Sequence, residues 1–474
     1  MRFTKLVFAV AATAGAVALY PAGPTALAQD IEFSPPGTKT KPQRPTAQRK
    51  KQTPPPVATP AALRPAEPAA AATAPASSSA DTPAHKFVPN PYTCKNTVGF
   101  GTWLAGFKQE AAAEGISQAT INDALGGITF DPGVISRDRR QSFFSQTFTD
   151  FYGKLATNNR LQNGIRHVRK YNDIFQRAEK DYGVPPQVIA GFWALESDFG
   201  AGLGKLPILR SLTTLAYDCR RGELFRAELK AALKIIDRGD LRPEEMIGSW
   251  AGELGQTQFL PRHYFDYAVD YDGDGRRDLM RDIPDIIGSS ANFVASLGWR
   301  RGEPWLEQVR VPANLPWDQA DLAIQHPRSK WIAWGVKSMD SNVVPDNDLP
   351  VSLMLPMGRN GPAFLAYPNF QVYLKWNQSL TYATTAAHLG ARIGGAAALS
   401  RGNGEPIRSL SYEETKRLQQ LLAKRGFDVG QIDGKIGAGT RAAVKQVQIK
   451  LGQPADSYPT PELLRALQTQ TSSR

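Results

Sequence analysis

Between Tyr182 and Gly200 the sequence puts an ionisable carboxylate on the apolar stripe of a helix, and few arrangements constrain a fold more tightly. Pro185 and Pro186 suit a first helical turn and Gly200 suits a C-terminal stop, so one helix fits the span. Counting back from Glu196, Trp193 lies three residues away, Phe192 four, Ile189 seven and Val188 eight, all on one face. The stripe must be buried, and the carboxyl goes with it. Loss of hydration disfavours the charged form and raises the pKa, as a general acid working near neutral pH requires. The same placement also suits a core glutamate neutralised by an arginine such as Arg210. Asp198 stands about 200° further round a helix, so it cannot converge with Glu196 on one bond and is expected to cap the helix or face solvent.

The surrounding pattern is mainly α. Phe100, Trp103, Leu104 and Phe107 recur at steps of three and four, and Ile165, Val168, Tyr171, Ile174, Phe175 and Ala178 form a second amphipathic segment that stops at Gly183. Strand-like alternation is scarce until residues 309–355, where Val351-Ser-Leu-Met-Leu-Pro suits a short strand or two. Residues 29–90, rich in Pro, Ala, Thr, Ser and basic side chains, cannot bury enough apolar surface to fold and read as an extended, disordered tether.

Ahead of the tether, Met-Arg-Phe-Thr-Lys, an apolar run from Leu6 to Tyr20 and Ala26-Leu27-Ala28 have the layout of a signal peptide over residues 1–28, cleaved after Ala28. The run is broken by Pro21 and Pro24 and is shorter than the ~20 residues of a spanning helix, so export to the periplasm without a stable membrane anchor is expected. Cys94 and Cys219 are the only cysteines. In an oxidising compartment they either pair or remain two buried thiols, because spacing does not show that they meet. The formal net charge of +12, from 56 Lys plus Arg against 44 Asp plus Glu, favours an anionic partner. Export points to acidic cell wall and away from nucleic acid.

Four blocks carry a resemblance. Glu196-Ser-Asp-Phe-Gly resembles the Glu-Ser-x-x-Gly signature of lysozyme-like transglycosylases, and Gly248-Ser-Trp-Ala-Gly-Glu-Leu-Gly-Gln-Thr-Gln-Phe-Leu-Pro261 resembles their Gly-x-x-Gln-Phe-x-Pro motif, continued by Tyr264 and Tyr267-Ala-Val-Asp270. Tyr367-Pro-Asn-Phe370 and Trp376-Asn-Gln-Ser-Leu-Thr-Tyr382-Ala resemble the closing block of lytic murein transglycosylases of the membrane-bound B type. The resemblance implies a lysozyme-like catalytic domain over residues 91–398 that cleaves the β-1,4 bond between N-acetylmuramic acid and N-acetylglucosamine without adding water. Glu196 would protonate the glycosidic oxygen and then take the proton of the muramoyl 6-hydroxyl as a 1,6-anhydro ring closes. One carboxyl would serve twice, unlike the two-carboxylate glycosidases. By position, Ser249 and Gln258 would hydrogen-bond sugar, and Asn377, Tyr382 and Trp376 would line the same cleft, Trp376 through its ring or its N–H. The alternatives are a loop tie for Gln258 and a core tyrosine for Tyr382.

The run Asp270-Tyr-Asp272-Gly-Asp274-Gly275-Arg276-Arg277-Asp278 matches the front of an EF-hand loop, with Arg276 ligating through its backbone. Its twelfth position is Arg281, so Asp282 or Asp285 would have to close the shell around a structural calcium. An acidic turn balanced by Arg276 and Arg277 is the other reading. The chemistry itself requires no cofactor. His85, His167, His263, His326 and His388 show no metal-ligand spacing, and neither a serine-nucleophile elbow nor a phosphate loop is present.

Residues 407–470 carry Leu418, Leu421 and Leu422 on one helix and Ala443, Val444, Val447 and Leu451 on another, joined by a turn-rich connector through Asp433-Gly434. Gln419, Asp433-Gly434, Gly437-x-x-Thr440 and Ala443-Val444 resemble a peptidoglycan-binding type 1 domain, a small three-helix unit that would hold glycan strands. A helical cap without a ligand would have the same pattern. A hydrolytic muramidase on the same fold and a catalytically silent wall-binding scaffold are the alternatives to lytic transglycosylation.

Overall fold

The helix that carries Glu196 runs from Pro186 to Ser197, opening on Pro at its first position, with every side chain but Gln187 buried. It stops three residues before Gly200 because the chain turns left-handed at Asp198 (φ 53°) and Phe199 (φ 59°). The turn satisfies the last carbonyls: Asp198 N–H donates to Ala194 O at 3.2 Å and Phe199 N–H to Trp193 O at 3.4 Å. In this computed structural model the described residues are 95–140, 146–339, 348–405 and 408–472. The expected signal segment, the tether and Cys94 lie outside them. From Lys95 onward the chain packs as one unit, and none of its described helices is long and apolar enough to cross a membrane.

Helices surround the Glu196 helix. Phe100–Ala113 forms as its periodicity predicts, burying Leu104, Phe107 and Ala111. The second amphipathic segment is two helices, Asn158–Lys170 and Asn172–Tyr182, because Tyr171 leaves helical geometry (φ −110°, ψ 28°) and caps both. The second of them ends at Gly183 in the left-handed conformation, as expected. The helix Leu380–Ile393 crosses the Glu196 helix most closely. A Cβ on Gly191 would lie 3.1 Å from Ala386 O and 3.2 Å from the Gly390 backbone, and one on Gly390 would lie 3.0 Å from Gln187 O. Two glycines thus bring the backbones together, and this crossing presents Tyr382 to Glu196.

Strands are few and short, in order β1 (Leu206–Pro207), β2 (Ile247–Gly248), β3 (Leu306–Arg310), β4 (His326–Pro327), β5 (Lys337–Ser338), β6 (Pro350–Met354) and β7 (Ala363–Ala366). β1 and β2 pair antiparallel, Leu206 opposite Gly248. The other five form an antiparallel sheet in the order β4-β6-β7-β3-β5. β6 is the strand expected at Val351, but the sheet is larger than the sequence suggested. β7 is buried along its whole length and β3 along most of it, so neither shows the alternation of a half-exposed strand. Val309, Trp331, Val351, Leu353, Leu365 and Tyr367 give this layer its own core.

The C-terminal module has three helices, Tyr412–Ala423, Ala438–Lys450 and Pro461–Ser472, packed around Leu418, Leu422, Val444, Val447, Leu463 and Leu467. Ser411 and Glu414 form a capping box at its first helix. Gln419 pins the connector: its Nε2 donates to Lys435 O at 2.9 Å and its Oε1 accepts from Gly434 N–H at 2.8 Å. The module is docked against the sheet layer. Arg441 donates to Pro356 O at 2.7 Å, Lys445 pairs with Asp321 at 3.0 Å and Arg359 with the buried Asp456 at 3.2 Å.

Gly390→Ala is expected to push the two crossing helices apart and cost about 1–3 kcal/mol, read as a lower Tm. Gly106→Ala, mid-helix with open space around its Cβ position, should instead stabilise by roughly 0.5–1 kcal/mol.

Candidate active site

Glu196 sits in the last turn of its helix and is 4% exposed. Its Oε1 accepts the indole N–H of Trp376 at 2.8 Å and the phenol O–H of Tyr382. Burial pushes the carboxyl up to about 7, and the two hydrogen bonds, which favour the ionised form, hold it from rising further. No cation or second carboxylate contributes to that shift. Arg210, the candidate neutralising partner, instead faces Asp131 at 3.8 Å, so the reading of Glu196 as half of a buried ion pair with it is set aside.

Of its two expected roles, Asp198 takes the cap. Its side chain is 10% exposed and faces Arg160, whose Nε lies 3.6 Å from Oδ1, so it does not point to solvent. The left-handed turn that ends the helix swings it inward.

Packing decides the role of Trp376. Its ring stacks on Phe192 with centroids 4.2 Å apart, and Phe259 and Phe293 close on it at 5.7 and 5.2 Å. Held among three rings, Trp376 aims its N–H at Glu196. Tyr382 is equally buried, and burial followed by the Glu196 charge raises its pKa well above the usual phenol value. It remains a donor throughout the neutral range. The sequence reading of Tyr382 as either cleft or core residue dissolves here: it is buried and bonded to the acid.

Gln258, Ser249 and Asn377 are also buried. Gln258 has a left-handed backbone (φ 53°), uncommon for a non-glycine residue. Its Nε2 donates to Gly255 O at 2.6 Å, which orients the amide, while its buried Oε1 has no hydrogen-bond partner. Ser249 Oγ donates to Glu253 Oε2 at 2.8 Å and accepts from Ala251 and Glu253 N–H at 3.1 and 3.2 Å. Asn377 caps the helix Phe370–Trp376, and its Oδ1 accepts Ser379 N–H at 2.9 Å.

Gln256 was missed by sequence reasoning. Its Oε1 accepts the Trp193 indole N–H at 2.9 Å, its Nε2 donates to Met280 O at 3.0 Å and its carbonyl accepts from Ser197 Oγ. It therefore ties the loop after β2 to the turn that carries Glu196. Nothing in Gly-Gln-Thr-Gln distinguishes this glutamine from Gln258 without the fold.

In the acidic loop, oxygens of Asp270, Asp272 and Asp285 lie within 4.8 Å of one another. Asp274 and Arg276 are outside that trio: Asp274 Oδ1 accepts Arg276 N–H at 2.8 Å, and the Arg276 guanidinium donates to Asp240 O at 2.8 Å. Asp282 caps the helix Ile283–Ser296 through Asp285 N–H at 3.2 Å, leaving Asp285 to close the group. Burial, then backbone hydrogen bonds working against it, then the charges of Asp282 and Asp272 bring the Asp285 carboxyl up to about 6. Cys219 is disulfide-bonded; its expected partner Cys94 lies outside the described residues.

Residues 99–391 match the Transglycosylase SLT domain family and residues 411–467 match a peptidoglycan binding domain family. The chain is similar to the membrane-bound lytic murein transglycosylase B of Escherichia coli (strain K12), at 31% identity over 291 residues, 61% of this chain and 79% of that protein. Its fold is similar to that of SltB3 from Pseudomonas aeruginosa in complex with NAG-anhNAM-pentapeptide, with 38% identity, a TM-score of 0.73 and coverage of 78% of this chain and 99% of that one. The Escherichia coli lytic transglycosylase Slt35 in complex with calcium is more distant, at 28% identity and a TM-score of 0.52 over 61% of this chain and 92% of that one. With the catalytic family matched over most of the folded chain and a wall-binding module docked beside it, this protein belongs to the SLT-domain lytic transglycosylases, enzymes that act on peptidoglycan.

Proposed function

We propose that this chain cleaves the β-1,4 bond between N-acetylmuramic acid and N-acetylglucosamine and leaves 1,6-anhydromuramoyl ends, with Glu196 as the acid and then the base. The observation that carries the reading is a buried carboxyl raised to about 7 with no other carboxylate acting on it. Protonated Glu196 gives its hydrogen to the glycosidic oxygen as the bond to C1 breaks, freeing the N-acetylglucosamine 4-hydroxyl. The resulting carboxylate removes the proton of the muramoyl 6-hydroxyl, whose oxygen bonds to C1. Glu196 ends protonated and no water is consumed, so a second carboxylate to activate water is not required.

Trp376 and Tyr382 stabilise the carboxylate in the interval between the two proton transfers, since both donate to Oε1. Gln258 offers its unpartnered Oε1 to a sugar N–H, the acetamido group being the donor of matching chemistry. Asn377 and Ser249 border the same region, Ser249 by shaping its loop. The C-terminal module holds the enzyme on the wall polymer, which raises the local concentration of cleavable bonds. The reading includes a periplasmic location.

A structural calcium at Asp270, Asp272 and Asp285 completes the proposal. Three carboxylates that converge while two neighbouring aspartates raise the Asp285 pKa form a site for a hard cation with oxygen ligands. The ion would order the loop and takes no part in the reaction.

Glu196→Gln keeps the hydrogen-bond acceptor and loses the proton donor, so anhydro-muropeptide release from purified sacculi, read by mass spectrometry, should fall by at least ~10²-fold. A released product heavier by one water would point to hydrolysis, and equal clearance by wild type and variant would point to a silent scaffold. The variant also separates chemistry from folding. Glu196 has a folded pKa near 7 against an ordinary 4.5, so the stability linked to its proton is present below about 4.5 and lost as pH rises through about 7. Glu196→Gln lacks that loss and should be more stable than wild type above neutrality, by up to about 3 kcal/mol.

Tyr382→Phe removes a hydrogen bond that favours the carboxylate, so the Glu196 pKa rises and the basic limb of the kcat/KM profile moves to higher pH by about one unit. Calcium in hundredfold excess over its Kd should stabilise the protein by about 2.7 kcal/mol, and Asp285→Asn should abolish that increment in thermal melts.

A further inference from the structure

Glu253 is a fully buried carboxylate that the mechanism above does not use, 0% exposed, in the loop that follows β2. Its Oε2 takes the only proton of the Ser249 hydroxyl, at 2.8 Å. The remaining capacity of that hydroxyl is spent on the N–H groups of Ala251 and Glu253. Ser249 therefore has no donor left for sugar. What it and Glu253 build is a clip, reinforced by Ser249 N–H donating to Glu253 O at 3.0 Å.

The clip begins the segment that holds the Glu196 helix on one side and packs against Trp376 on the other. Leu254 and Phe259 exchange backbone hydrogen bonds at 3.0 and 2.9 Å, closing the loop. Within it, Gln256 holds Ser197 and Trp193 on the Glu196 helix. Phe259 packs edge-on against Trp376, which donates to Glu196. Arg221, paired with the buried Asp138, which also takes Arg220, is near enough to feel the charge of Glu253. Burial pulls the Arg221 pKa down, while Asp138 and, less strongly, Glu253 favour its charge.

We propose that Glu253 is a positioning residue for the reaction: by holding Ser249 it fixes the loop that keeps Gln256 and Phe259 against the Glu196 site and keeps water away from the acid. Without it the loop loosens, water reaches the carboxyl and Glu196 becomes a stronger acid in the resting enzyme. This inference rests on Glu196 being the proton donor.

The test is the pH dependence of anhydro-muropeptide release by wild type, Glu253→Ala, Glu253→Gln, Ser249→Ala and the Glu253→Ala/Ser249→Ala double variant, with thermal melts alongside. Glu253→Ala should lower kcat by about tenfold or more with KM within twofold, and should move the basic limb of the profile to lower pH by about half a unit or more, following hydration of the acid. Glu253→Gln keeps an acceptor for Ser249 and should hold the limb within about 0.2 units of wild type. Ser249→Ala should reproduce the shift, and the double variant should add nothing further, because both changes break one interaction.

A limb unmoved in Glu253→Ala, whatever its Tm, would overturn the proposal, as would a double variant whose shift is the sum of the singles. If Glu253→Ala does not fold, a limb displaced in Glu253→Gln or unmoved in Ser249→Ala would overturn it equally. Failure of the catalytic reading looks different: wild type would then match Glu196→Gln and show no limb near 7 to be moved.

Discussion

Everything near the active centre depends on one carboxyl being kept out of water while two donors stay within reach of it. Desolvation alone would raise the Glu196 pKa and leave an ionised form with nothing to stabilise it. The Trp376 and Tyr382 donors limit that rise to about 7, where protonated and ionised states are both accessible. The proposed reaction, in which Glu196 is acid and then base, needs that balance. Its precision comes from packing: three aromatic rings fix the Trp376 indole, and two glycines let the Tyr382 helix approach.

The rest of the structure holds this balance in place. The left-handed turn at Asp198 and Phe199 ends the Glu196 helix abruptly, one residue after Glu196's neighbour Ser197. Gln256 grips that turn from the loop after β2, and β1 pairs with β2 to anchor the loop. On the far side, the sheet layer and the three-helix module are joined by cations bonded to carbonyls and carboxylates, Arg441, Lys445 and Arg359 among them. These contacts are polar and partly buried, so the module is oriented by specific hydrogen bonds and is not joined through its linker alone.

Much of this is legible in the sequence. The apolar stripe ending at Glu196 forms the helix that the 3.6-residue period requires, and the carboxyl is buried as its position on that stripe demands. The helix Phe100–Ala113 and Leu418, Leu421 and Leu422 of the C-terminal module also appear where periodicity put them. Less legible were elements without a period. β7 reads as a featureless apolar run because it is wholly covered, β3 buries Glu307 and Gln308 and so shows no alternation, and the break at Tyr171 lies inside an unbroken amphipathic pattern. Asp198 takes the first of its two expected roles, the cap, and its inward turn toward Arg160 depends on a left-handed conformation that no helical period encodes.

Sequence by itself determined that a carboxyl, Glu196, ends the apolar stripe of a helix, that this helix is buried, and that a second helical unit follows. These depend on local period, composition and motif order, which a linear chain records. Only the tertiary structure decided how the acid is tuned. Trp376 and Tyr382 lie 180 and 186 residues beyond Glu196, and Gln256 reaches back 63 and 59 residues to Trp193 and Ser197. Hydrogen-bond donors are chosen by direction and distance within a packed core, and neither quantity exists until the helices have crossed.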